Sequence, residues 1–223
     1  MTQKTNIVRA RFSDTLTPQQ QRGADLFLIR PTASREVITI NAKFTYNGKV
    51  YSVSAPIPAK YYEGAKKANH VLSYNPELLT EKEAGQVSYE SMIFEKSQEE
   101  FYQKFLTEFY NIKLREKLSN DEYLELLVSY VQSLPYDSQK ASLSNFQTNY
   151  PIETAVEGKG ICGDKCLLLA GLLACSGYAV SLLTFESEEH MIVGLPVDKE
   201  YGTLNSNYAF IETTLPSLIG VHG

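Results

Sequence analysis

Tryptophan is absent from this chain of 223 residues, and histidine and cysteine occur only three times each. Fifteen tyrosines take up the aromatic share, but tyrosine serves half-buried strands as readily as ligand pockets, so it carries no functional reading. An excess of positive charge is also missing. With a net charge of -5 and a pI near 5.3, the chain lacks the basic stripe by which sequence-independent nucleic-acid binders release phosphate counterions. No long hydrophobic run occurs. The longest nearly apolar stretch, Leu167 to Cys175, falls well short of the roughly 20 residues that a membrane-spanning helix needs, so no membrane span is expected. MTQKTNIVRARFSDTLT has basic residues with no apolar segment after them, which does not read as a secretory signal. Cys162, Cys166 and Cys175 form an odd count crowded into one segment, a poor basis for a disulfide framework. Reduced thiols and a cytoplasmic location are expected.

The hydrophobic content of 43% over this length is enough for a substantial core, and predicts one large domain with an extension. No internal repeat is present. The short apolar run Leu26 to Ile29 before Pro31 predicts one strand. From Val37 to Val53, apolar and polar residues alternate in two runs joined by Asn47-Gly48, a β-hairpin signal. Pro56 and Pro58 are expected to end its second strand, because proline has no N–H for a ladder. Lys60 to Leu118 is mainly helical, with Phe101, Phe105, Phe109 and Ile112 at helical spacing. Ser119-Asn120-Asp121 then offers caps for a helix running to about Ser133, and Pro135 stops it. Residues 136–150, rich in Ser, Asn and Gln, read as a long exposed loop of the kind that borders functional sites.

The last third has a different texture. GKGICGDKCLLLAGLLACSG reads as a glycine-bearing turn followed by a helix that is apolar on nearly every face and must lie inside the fold. YAVSLLTF and HMIVGLPV read as strands around the acidic turn Glu186 to Glu189, and Tyr208 to Thr213 as a further strand. Cys162 falls where the turn meets the helix. There, unpaired N–H groups and a partial positive charge favour a thiolate and form a natural oxyanion hole. His190 begins a strand, near a sheet end where a base can work. Glu212, on the later strand, is placed to orient the imidazole if the two strands are neighbours. Asp164 suits the first helical turn as a dipole-compensating carboxylate, Cys166 and Cys175 read as core thiols, and His70 and His222 as surface histidines.

YPIETAVEGKGICGDKCLLLAGLLACSGY, then EEHMIVGL, then YAFIETT, resembles the core of the transglutaminase-like superfamily, which is related to papain. The resemblance spans roughly Leu118 to Pro216. It implies an α+β fold, with the nucleophile helix packed on an antiparallel sheet, a catalytic core over residues 118–223, and an N-terminal extension of hairpin and helices over residues 1–117. It also implies Cys162 as nucleophile, His190 as base, and Glu212 in the place usually held by Asp. The activity implied is cysteine-dependent hydrolysis of peptide or amide bonds in a protein or peptide substrate. The alternatives are amine transfer by the same thioester route, or a scaffold that binds protein without chemistry. Gln132, Tyr136 and Gly160 are the candidates for oxyanion or substrate contacts. A zinc site on Cys162, Cys166 and a histidine is the weaker reading, since no CxxC pair is present. No metal or cofactor is expected.

Overall fold

The computed structural model describes residues 6–8, 23, 27–71, 73–185 and 188–221. Strand β1 (Asn6–Val8) is followed by the hairpin β2 (Val37–Tyr46) and β3 (Lys49–Pro58). Next come helices α1 (Ala59–Ala65), α2 (Glu81–Ile93), α3 (Glu99–Glu116), α4 (Asn120–Ser133), the short α5 (Ser138–Ala141), α6 (Pro151–Glu157) and α7 (Cys162–Cys175). Strands β4 (Ser181–Phe185), β5 (His190–Pro196) and β6 (Tyr208–Ile211) complete the order. The architecture is α+β, with an antiparallel sheet in the order β1-β4-β5-β6 and the separate two-stranded β2-β3 ribbon.

The ribbon turns at Asn47 and Gly48, both at positive φ (47° and 72°), the geometry for which Asn-Gly is selected. Alternation then buries Tyr51, Val53, Ala55 and Ile57 and exposes the residues between them. Contrary to expectation, β3 runs through Pro56 to Pro58, which pair with Thr39 and Val37. Ala59 donates its N–H to Glu36 O, so by alternation the prolines fall at positions whose nitrogens face away from β2. A ribbon of two strands has no third ladder for them to break. The run at Phe27 to Ile29 is not a strand either. It is an extended plug, with Phe27 and Ile29 buried and Leu28 exposed, and Leu26 lies outside the described residues.

The ribbon packs on α3 and α4, where Phe44, Phe105, Phe109 and Tyr130 interlock with ring centroids 5.2–5.8 Å apart. Helix α4 begins with a reciprocal cap: Glu122 N–H donates to Ser119 Oγ, and Ser119 N–H donates to Glu122 Oε2. Ser119→Ala is expected to cost about 1 kcal/mol. Urea denaturation checks this, and a loss indistinguishable from zero contradicts the role of the cap.

Helix α7 lies in the centre. Leu167, Leu168, Leu169, Leu172 and Leu173 are fully buried, and Gly177 at φ 90° closes its C-terminal end. It packs on β5, α4, α6 and α2. One sheet face gives Leu182, Met191, Val193 and Ile211 to the main core, while Leu183, Phe185, Ile192, Tyr208 and Phe210 form a second cluster on the other. Among the described residues no helix is long and apolar enough to cross a membrane. Residues 136–150 are not wholly a loop, since Asp137 caps α5 by accepting from Lys140 N–H.

Candidate active site

The approach to Cys162 is built by close backbone contacts. Helix α6 ends at Gly158, φ 65°, and the chain then runs beside Tyr136. Gly160 N–H donates to Pro135 O (3.2 Å), and Asp137 N–H donates to Gly160 O (3.1 Å). A Cβ at position 160 would lie 2.8 Å from Asp164 Cβ, so close approach demands glycine here. Ile161 is the extended N-cap of α7, and Cys162 is its first residue.

Asp164, one turn in, has no exposed surface. Its carboxylate accepts from Ile161 N–H (3.1 Å), Asn149 N–H (2.8 Å) and, through both oxygens, Lys140 Nζ (2.8 and 2.7 Å). It thereby ties the 136–150 segment to the turn before Cys162. The Cys162 thiol is half-buried, and burial alone pushes its pKa up. A hydrogen bond with His190, backbone N–H groups of Met191 and Gly163, and the imidazolium charge more than reverse this, leaving it below the ordinary thiol value.

His190 opens β5 directly after Glu189, which takes a positive φ of 50°. Its Nε2 lies 2.7 Å from Glu212 Oε2, which leaves Nδ1 for the sulfur. The hydrogen bond to Cys162, then the one to Glu212 and the charge of both partners, raise the imidazole pKa to about 10 against the cost of burial. The thiol and imidazole titrate as a pair. Glu212 does not sit within a strand as expected, because β6 ends at Ile211. The reason is local: Glu212 Oε1 accepts from Thr213 N–H (2.8 Å), Thr214 N–H (2.7 Å) and Thr214 Oγ1 (2.6 Å), and a chain folded back on its own carboxylate cannot continue a ladder. Burial raises the Glu212 pKa, but His190 and the Thr214 donors outweigh it and bring the group to about 2.

Cys162, His190 and Glu212, distant in sequence, are thus brought together. Gln132 is nearby but committed: its Nε2 donates to Glu212 O (2.9 Å) and Ser217 O (3.0 Å). The N–H of Gly160 is likewise occupied by Pro135 O. Tyr136 remains 44% exposed, with its phenol pushed up by partial burial and by the charges of Cys162 and Asp164. Three features carried no sequence signal. Tyr89 on α2 feels both Cys166 and Cys162. Lys165 is fully buried. His70 is not a surface residue, since its ring is only 10% exposed and Nδ1 lies 2.8 Å from Thr148 O; His222 lies outside the described residues. Cys166 is buried, with its thiol donating to Met191 O. Cys175 is exposed rather than in the core.

Among the described residues no group of three or more His, Cys, Asp and Glu side chains is placed to hold a metal. A cavity of about 890 Å³ lies at the opposite end of α7, walled by Tyr102, Tyr110, Tyr123, Cys175 and Tyr178, and includes none of the three site residues.

Fold and site together describe an α+β protein with a Cys–His–carboxylate constellation at the start of a buried helix. Residues 107–214 match the model of a family described as a transglutaminase-like domain, which supports the resemblance over the stretch from within α3 to just past Glu212. No curated protein and no solved structure matches the chain.

Proposed function

We propose that the protein is a cysteine-nucleophile hydrolase of peptide or amide bonds. Residues 118–223 carry its papain-like catalytic core and residues 1–117 an extension whose described hairpin and helices pack on it, while β1 of that extension joins the core's sheet as its edge strand. The observation that carries this reading is the convergence of the Cys162 thiol, the His190 ring and the Glu212 carboxylate on one point.

The Cys162 thiolate attacks the carbonyl carbon of the substrate, and the electron pair of the C=O bond moves to oxygen. Cys162 N–H, unpaired in the first turn of α7, meets that oxyanion. Tyr136 is the second donor, since the Gln132 amide and the Gly160 N–H are already spent. As the tetrahedral centre collapses, the imidazolium of His190 passes its proton to the leaving amine, and a thioester remains. His190, now neutral, takes a proton from water, the resulting hydroxide attacks the thioester, and the carboxylic acid departs as the Cys162–His190 pair is restored. An amine in place of water yields a new amide. Glu212 keeps the imidazole in one tautomer and stabilises its cation, as a third triad member does. The Glu in place of the usual Asp reaches the ring because it extends from beyond the end of β6.

The test uses casein as a broad polypeptide substrate, with and without methylamine, and Cys162→Ala as control. New amino termini or released ammonia from the wild type, absent in the variant, is the expected result, and methylamine incorporation marks transfer instead. Neither product between about pH 6 and 8 would overturn the enzyme in favour of a scaffold that binds protein.

A further inference from the structure

Lys165 has no exposed surface, yet it sits on the most apolar helix of the fold. Among the described residues no carboxylate comes within ion-pair distance of its ammonium. It donates instead to the carbonyls at the end of α4, Leu134 O at 2.8 Å and Gln132 O at 3.4 Å. A cation satisfied in this way by helix C-terminal carbonyls is favourable locally. Even so, a buried ammonium without a counter-ion is an expensive group where a methionine of similar length would fit. Burial brings its pKa down to about 8, against the opposing influence of Cys166 and Glu212.

Gln132, whose own carbonyl Lys165 holds, reaches with its side-chain amide to Glu212 O and Ser217 O. It thus pins both ends of the segment on which the Glu212 carboxylate rides. Lys165 lies three residues after Cys162 on the same helix.

We propose that Lys165 is a positioning residue for Glu212, acting through Gln132, so that the helix bearing the thiol also fixes where the carboxylate meets the imidazole. This rests on the triad reading above. It assigns Gln132 to holding the carboxylate segment in place, and it accounts for a lysine where packing alone would favour an apolar side chain.

The experiment compares Lys165→Met, Gln132→Leu, Glu212→Gln and the double variant Lys165→Met/Glu212→Gln. It reads the alkylation rate of Cys162 by iodoacetamide at about pH 6 together with the thermal midpoint. Without a well-placed carboxylate the imidazolium is less populated, and the thiol is less ionised. Lys165→Met and Gln132→Leu are each expected to keep the midpoint and to slow Cys162 labelling by about tenfold, the effect of one unit in thiol ionisation. The double variant is expected to label no more slowly than Glu212→Gln alone, since residues acting through one group are not additive. Wild-type labelling in both relay variants, or additive losses in the double, overturns the relay. Wild-type labelling in Glu212→Gln overturns the triad beneath it. If Lys165→Met fails to fold, Gln132→Leu decides, because it leaves the backbone acceptors of Lys165 in place.

Discussion

Treated with a limiting amount of iodoacetamide at about pH 6, the protein is expected to be alkylated at Cys162 at least about tenfold faster than at its other two thiols. Cys166 has no exposed surface, and burial pushes its thiol well above the ordinary value. Cys175 is exposed, but burial of its sulfur and the charge of Glu99 bring it up to about 11. Only Cys162 is drawn the other way, by His190 and by backbone N–H groups. In His190→Ala, desolvation is left with less opposition, and Cys162 labelling should then rise only towards alkaline pH.

The carboxylate and the ring also set a stability window. Glu212, lowered from 4.5 to about 2, contributes stability that is complete above its unfolded pKa and lost as pH falls through about 2. His190, raised from 6.5 to about 10, contributes stability that is complete below its unfolded pKa and lost as pH rises through about 10. Both contributions are therefore full only between about pH 4.5 and 6.5. Equal labelling of all three cysteines in the wild type, or a labelling profile unchanged in His190→Ala, would refute the ion pair.

The largest loss of stability is expected from Asp164→Ala. The substitution strands Ile161 N–H and Asn149 N–H and takes the counter-ion from the Lys140 ammonium, which keeps Asn149 Oδ1 as an acceptor; all three converge on one buried carboxylate. Removing one side of a buried, hydrogen-bonded ion pair costs about 3–5 kcal/mol, and the turn that aims Cys162 loosens with it. Lys140 is itself nearly buried, 14% exposed at the side chain, so water recovers little of this. Equilibrium urea unfolding measures the effect, and a loss below about 1 kcal/mol would mean that the contact behaves like a surface pair.

What the residue order made legible was whatever is enforced locally. Asn47-Gly48 dictates its hairpin, Ser119 with Glu122 starts α4, and the apolar run after Cys162 has nowhere to lie but inside. Cys162 and His190 each open an element with a recognisable signal, whereas Glu212 was expected within its strand and named by alternation and by the resemblance. Most of the misses depend on distant partners. Pro56 and Pro58 are tolerated within β3 only because no third strand adjoins it. His70 is enclosed by Thr148, Ala65 and Glu153, up to 83 positions away. Lys165 is buried because the last turn of α4 supplies carbonyls that only the assembled fold brings to it. Glu212 lies beyond its strand because its own oxygen captures the two following amides, a competition that alternation of apolar residues does not register.

The enclosure of α7 has a further consequence. Its middle is crossed at Gly171 by the Tyr102 ring, whose hydroxyl continues to Ile93 O, so the helix is an axle clamped along its length. On the proposed reading, an axle so held presents its sulfur at the same spot on each encounter and leaves discrimination to the exposed apolar residues of flanking segments. These are Leu143 and Phe146 on the stretch tied to Asp164, and Leu215 just past Glu212. Changes of taste in such a protein are therefore to be sought in its lips, and changes of vigour along its axis.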